Sequence, residues 1–507
     1  MVTMKTPGVD VVEQNAFPNS VQAVATAVPA FVGYTEKADN GGQSLSMQPW
    51  PIRSMAEFEQ YFGIGPVPQF SLTETAGASV TSATRAALSL GGADYVLTQV
   101  QGRYLLHASL QLFFQNGGGA CYIVSVGSYS DVVAADPLMA GVDLLVNLRE
   151  PTLLVIPDAM VLVAADGIRV AQHMLQHCGG VMKNRMAILD VADGYRSRQD
   201  PAGDPISAFR NALGDNCLDY GVAYYPWLHT SITTTQHLGY WQLDAAGQGV
   251  LQNLLSSELI PEAQAGQLQT LINGITQAGA SAQAQAALSQ SLLALSPIYN
   301  TVLAQMAAIL NLLPPAAAMA GVYTTVDHNS GVWMAPANVS LNAVTSPSVV
   351  LNYDDQEELN VTPHGKSIDA IRVFPGMGVL VWGARTLDGN SMDWRYINVR
   401  RTMIMLEESI RQALQSDVFA TNDGATWAAV TRMISNFLTG IWQQGGLKGN
   451  KATDALAVSC GLGQTMTPQD ILEGCLIVSV SVALVRPAEF MVFTLEQQIG
   501  RIHGFHA

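Results

Sequence analysis

The residues that could do chemistry are a phosphate-loop fragment, a histidine pair and a set of aspartates. Gly365-Lys366-Ser367 has the form of the end of a phosphate-binding loop. Asn360 stands where the first glycine of that loop must be, and no strand-to-helix turn precedes it, so the backbone cradle for phosphate is missing. His173 and His177 are four residues apart on an expected helix and could share a metal ion, yet Met174 replaces the glutamate that a zinc-protease helix needs. Two helix-surface histidines account for the pair more simply. Asp158, Asp190 and Asp193 follow expected strands, and one sheet would bring such strand ends together as a carboxylate pair for acid–base work. Turn and helix-capping roles explain single aspartates equally well. No Gly-x-Ser-x-Gly elbow occurs and no Gly-x-Gly-x-x-Gly follows a strand, which argues against a hydrolase triad and a dinucleotide site. Cys121, Cys178, Cys217, Cys460 and Cys475 are scattered singly, without zinc spacing, and suit buried free thiols in a reducing compartment. The expectation is no catalytic residue, no cofactor and no metal.

The elements that would position such groups follow from periodicity. Ala30 to Thr35 reads as a first buried strand. From Pro151 strands and helices alternate: a strand at Leu153 to Pro157, a helix at Gly167 to Cys178, a strand at Arg185 to Val191, a helix around Ser207 to Leu213 and a strand at Gly221 to Leu228. That alternation predicts a parallel sheet with helices on its faces. The stretch from Ala263 to Val326 contains no charged residue, and its leucines and isoleucines recur at helical spacing, predicting an inserted helical hairpin with a break near Gly279. Beyond Gly331 strand signals return. Helices are expected at Thr402 to Gln415 and Thr426 to Gln443, then strands at Cys475 to Val485 and Phe490 to Glu496.

Composition says what kind of surface carries these elements. The chain has 507 residues, so more than one core is expected. Only 13% of residues are charged and 49% are hydrophobic, so much of the exterior must be hidden against other subunits or in a membrane. The nearest candidate span, Leu303 to Val322, carries Gln305, Asn311, Pro314 and Pro315, which a lipid-exposed helix could not tolerate together. No direct membrane insertion is expected. A formal net charge of −16 without a basic stripe argues against nucleic acid as a partner. The opening residues lack a secretory pattern, which sets the expectation of cytoplasmic assembly.

The segments TPGVDVVEQNAFPNSVQAVATAVPAFVGYTEKA near the start, then RMAILDV, YGVAYYPWL, GVWMAPAN, IRVFPGMGVLVWGARTL, WRYINVRRTMIMLEESI and VRPAEFMVFTLEQ follow one another along the chain. Together and in this order they resemble contractile tail sheath proteins of phages, tailocins and extracellular injection systems. The resemblance implies a multidomain α/β and α+β chain. A first arm at 1–20 leads into an inner α+β domain built from 21–105 and 361–489. An outer α/β domain at 106–360 is inserted there and carries the 263–326 helical insertion. A last strand and arm occupy 490–507. It implies a helical polymer of identical or sibling subunits around an inner tube protein, with baseplate and terminal cap proteins as partners. Such a particle is a phage tail or tail-like assembly, and some are released from the cell. The arm strands would be Val9, Asp10, Val11, Val12 and Glu13 at one end and Phe490, Met491, Val492, Phe493, Thr494, Leu495 and Glu496 at the other. They would complete sheets in neighbouring subunits. Glu407, Glu408 and Arg411 are the candidates for facing the tube, unless they form a solvated helix face with Glu407 paired to Arg411. One rival reading is a cytoplasmic α/β hydrolase or ligand-binding enzyme using the carboxylates near Asp158 and Asp190. The inner tube protein is another, though tube subunits are usually much shorter single β domains.

Overall fold

A computed structural model of the chain describes residues 20–75, 82–258, 261–276, 281–362 and 365–490. The strands of its nine-stranded sheet, of one three-stranded sheet and of one two-stranded ribbon are, in chain order, β1 (Pro29–Thr35), β2 (Trp50–Ile52), β3 (Gln69–Glu74), β4 (Arg85–Leu90), β5 (Ala93–Gln101), β6 (Cys121–Ser128), β7 (Leu153–Val155), β8 (Met186–Asp190), β9 (Gly221–Tyr225), β10 (Val339–Ser340), β11 (Asp369–Phe374), β12 (Gly378–Trp382), β13 (Leu456–Ser459) and β14 (Ser479–Val482). Its longer helices are α1 (Leu106–Gln115), α2 (Ala164–Leu175), α3 (Pro205–Leu213), α4 (Ala245–Ser256), α5 (Glu262–Ile275), α6 (Ala282–Leu295), α7 (Pro297–Leu310), α8 (Ala316–Ser330), α9 (Ile397–Leu414) and α10 (Gly424–Gln443).

The main sheet has nine strands in the order β10-β12-β11-β9-β8-β7-β1-β6-β2. Its middle is parallel, with Phe31 opposite Val155, Ile188 opposite Val222 and Tyr224 opposite Asp369, and antiparallel pairs close both ends. Strands covered by helices on both faces must be apolar throughout, and β1, β7, β8 and β9 are buried at every residue. The alternation read from the sequence is therefore present. The sheet is wider than the 106–360 segment expected to hold it, because β1 and β2 come from earlier in the chain and β11 and β12 from later. Pattern identifies a strand but not its neighbour when the neighbour lies far away in sequence.

The described residues of 263–326 are mostly helical, but they form α5, α6, α7 and most of α8 rather than one hairpin, with a short strand at Leu312–Leu313 between α7 and α8. Leu268, Ile272, Leu292, Tyr299 and Val302 do face a core, shared with α4 and with Phe70, Leu72 and Leu97 of the β3-β5-β4 sheet. That core is separate from the main one, which α8 joins through Ala316 to Val322. Among the described residues no single helix is long and apolar enough to cross a membrane, and the apolar pair α6 and α7 meets at 114°.

A third core is formed by Met405, Leu406, Ile434, Leu438 and Ile441 of α9 and α10. Against it lies the antiparallel ribbon β13-β14, shorter than the Cys475 to Val485 strand expected, and placing Leu456, Val458, Val480 and Val482 inward. Helix α9 begins earlier than expected. Every residue from Ile397 to Thr402 is buried, including Asn398, Arg400 and Arg401, so a polar stretch that reads as helix-poor is stabilised by tertiary partners.

Candidate functional site

Two of the three strand-end carboxylates, Asp158 and Asp190, are buried singly, each at the start of a different helix. In doubly wound sheets a ligand sits outside the carboxyl ends of the strands, often at a helix N-terminus. At that position between β1 and β7, Asp158 is fully buried and accepts N–H bonds from Tyr34 (2.8 Å), Leu105 (2.6 Å) and Leu106 (3.2 Å), the last two at the start of α1. Its carboxylate occupies the place an anionic ligand would take. Burial pushes its pKa up to about 6 against those three bonds. Asp190, at the end of β8, does the same for α8 by accepting the Ala316 N–H at 2.8 Å, and burial lifts it to about 7. Asp193 is instead ion-paired with Arg196.

The other candidates diverge as well. His173 bonds Asp143 at 2.8 Å, while His177 lies in the irregular turn after α2 beside Arg185 at 3.3 Å. Burial and that guanidinium lower the His177 pKa to about 4. Among the described residues no cluster of ligands could hold a metal. The Lys366 ammonium is bound by the Arg210 carbonyl (2.8 Å) and Asp215 (2.9 Å), and the Ser367 hydroxyl by the Asn360 carbonyl (2.7 Å), so neither is free for phosphate.

What the fold leaves open is backbone. In β13-β14 the residues facing away from the third core are Ala457, Ser459, Ser479 and Ser481, and no third strand lies beside the ribbon among the described residues. A two-stranded ribbon with free edges is marginal alone and is a ready template for a further strand. Of the expected arm strands, Val9 to Glu13 and Met491 to Glu496 lie outside the described residues. Phe490 is 71% exposed. Of the tube-facing candidates on α9, Glu407 is exposed, whereas Glu408 is buried and bound by Arg411, Gln412 (3.0 Å) and, at 3.7 Å, Arg149. The pair is thus Glu408 with Arg411, three apart, rather than Glu407 with Arg411.

The roots of both chain ends are fixed by residues that the sequence reading did not single out. At the front, the Thr26 hydroxyl donates to Asp327 (2.5 Å), and Arg401 grips both Asp327 oxygens (2.8 and 2.5 Å) and the Thr26 carbonyl (2.9 Å). The Arg401 guanidinium also lies over the Tyr323 ring at 4.6 Å. At the back, Glu489 accepts two bonds from Arg385 (2.8 and 2.7 Å), one from Asn360 (2.6 Å) and one from Tyr396 (3.0 Å). Burial alone would raise the Glu489 carboxyl, but these donors outweigh it and hold it below the ordinary range. A usable signal was present: in a chain with 13% charged residues, WRYINVRRTM concentrates three arginines beside an asparagine.

The strand-end crevice is thus filled by the chain's own carboxylate, both chain ends are anchored in the body, and the ribbon carries no third strand among the described residues. Residues 390–498 match the phage tail sheath C-terminal domain family. Over 138 residues the chain is 28% identical to the tail sheath protein of Vibrio phage KVP40, covering 27% of this chain and 20% of that relative's length. The fold is shared over almost the whole chain with the sheath of the extracellular contractile injection system PVC in its contracted state. The identity there is 26%, the TM-score 0.61, and 98% and 99% of the two chains are covered. The contracted helical sheath of the anti-feeding prophage is similar at 28% identity and a TM-score of 0.60, covering 98% of this chain and all of the other (100%). These likenesses support a structural sheath subunit of a phage tail or phage-tail-like particle, and the hydrolase reading is not supported.

Proposed function

We propose that the chain polymerises helically around an inner tube by strand exchange and shortens from a metastable extended form, driving the tube through a target envelope. The observation that carries this reading is the open β13-β14 ribbon, four residues long on each strand, in a subunit whose two ends leave from anchored roots. The expected arm strands Val9 to Glu13 and Phe490 to Glu496 have the length, and the valine and phenylalanine content, to lie along such edges. A head-to-tail contact that does not close gives an open helical tube, and exchanged strands let subunits rotate without parting. Two packings that differ by a few kcal/mol per subunit then store enough energy over the polymer, without a nucleotide.

In this reading the subunit assembles in the cytoplasm and becomes part of a particle with baseplate and cap proteins. The α9-α10 core with its β13-β14 ribbon, within 361–489, forms the inner part, the 263–326 helices face outward, and Glu407 is the remaining charged candidate on α9 for the tube. The test is deletion of Met1 to Phe17 in the full particle, with electron microscopy of the product. Loss of long sheaths from an otherwise folded chain supports exchange. Normal tubes from the truncated chain would end it.

A further inference from the structure

Both chain ends are anchored on one helix. The C-terminal root binds the first turn of α9: the Tyr396 hydroxyl bonds Glu489, and the Asn398 amide donates to the carbonyls of Val485 (3.0 Å) and Trp333 (2.8 Å). The N-terminal root binds the next turns: Arg401 holds Thr26, and the Ser409 hydroxyl accepts the Val24 N–H at 3.0 Å. Asn398 and Ser409 are separated by roughly 16 Å along a helix rising 1.5 Å per residue. Between them Arg400 ties α9 to the main sheet. Its guanidinium is paired with Asp219, just before β9, and lies between the rings of Trp394 (3.7 Å) and Tyr220 (4.4 Å).

Polar side chains buried on all sides of a helix start hold their place only while every partner is kept. Asn398, Arg400 and Arg401 therefore make the first turns of α9 a rigid piece, with the last residues before one arm and the first residues after the other bound to it. Neither root can shift far relative to the body without disturbing this helix.

We propose that α9 is the common mount of the two arms and couples them, so that a displacement imposed on one arm root by a neighbour is passed to the other root within the same subunit. Its role as a relay in the sheath rests on the strand-exchange reading, but the coupling itself does not.

The experiment is hydrogen exchange followed by mass spectrometry on the full chain, with one root altered at a time. Ser409→Ala removes the acceptor of Val24, and Tyr396→Phe removes one donor to Glu489 without changing packing volume. Each variant is expected to speed exchange at both 21–28 and 483–489, by roughly fivefold or more at the distant root, the lower end of two-site couplings. Leu292→Ala, in the second core, serves as a control that destabilises without touching α9. Faster exchange only at the altered root overturns the proposal, as does an equal rise at both roots in the control. Tyr396→Phe and Ser409→Ala each lose one hydroxyl, so folding is retained in at least one of them, and one folded variant decides the outcome. A positive result here with normal tubes from the arm deletion would leave the coupling standing and remove the strand-exchange reading.

Discussion

Asp327→Asn tests the N-terminal root most directly. The side chains of Arg401 and Asp327 are 3% and 6% exposed, and two hydrogen bonds of 2.8 and 2.5 Å join them. Removing one member of a buried ion pair strands the other charge and costs about 3–5 kcal/mol. Asparagine has the same shape and can still accept one bond, while the guanidinium keeps the Thr26 carbonyl and the Tyr323 ring. Those residual contacts reduce the expected loss to about 2–3 kcal/mol. In a chain of 507 residues that corresponds to a fall in Tm of roughly 2–3 °C. Scanning calorimetry of the full chain measures it, and hydrogen exchange at 21–28 locates it. Replacing both partners, Arg401→Met with Asp327→Leu, should recover at least half of the loss, because a well-packed apolar pair often substitutes for a buried ionic one. A Tm change below about 1 °C for Asp327→Asn, or no recovery in the double variant, would refute the argument that the pair's charge holds this root.

Other expectations follow from single sites. The Asp190 carboxyl has a folded pKa raised to about 7, so its contribution is greatest at acid pH and is lost as pH rises toward 7. Asp190→Asn should therefore be more stable than the parent at pH 8 by about 1–2 kcal/mol and no more stable at pH 4, read from urea melts. Glu408→Ala should lose about 1 kcal/mol of stability while Glu407→Ala stays within about 0.5, since Glu408 is buried with its partners and Glu407 is exposed. Equal losses in denaturant midpoints would contradict that assignment. Gly221→Ala would place a methyl 2.3 Å from Leu175 and 2.8 Å from Leu387, and should cost about 1–3 kcal/mol by overpacking, measured in the same melts.

Much of the α/β architecture was legible because buried parallel strands are short apolar runs: the strands expected near 153, 185 and 221 are β7, β8 and β9. The width of the sheet was not, since β1 and β11 join it from more than a hundred residues away on either side of β8. Likewise the stripes of 263–326 indicated helices but not that Tyr299 and Val302 would meet Phe70 and Leu97. The site was least legible. Asp158 and Asp190 looked like possible acids and bases, and only three dimensions put each on the amide of a helix start. Glu489 sits in an ordinary-looking VRPAEF, and its meaning lies in Arg385, Asn360 and Tyr396, which are remote in sequence.

The second core has no residue in common with the main one. A cavity or a swapped side chain around Leu292 is therefore quarantined from β1, α8 and the helix that holds the chain ends. Sequence drift should be tolerated best there. A foreign loop grafted between α5 and α6 would adjoin the second core and leave the main one alone.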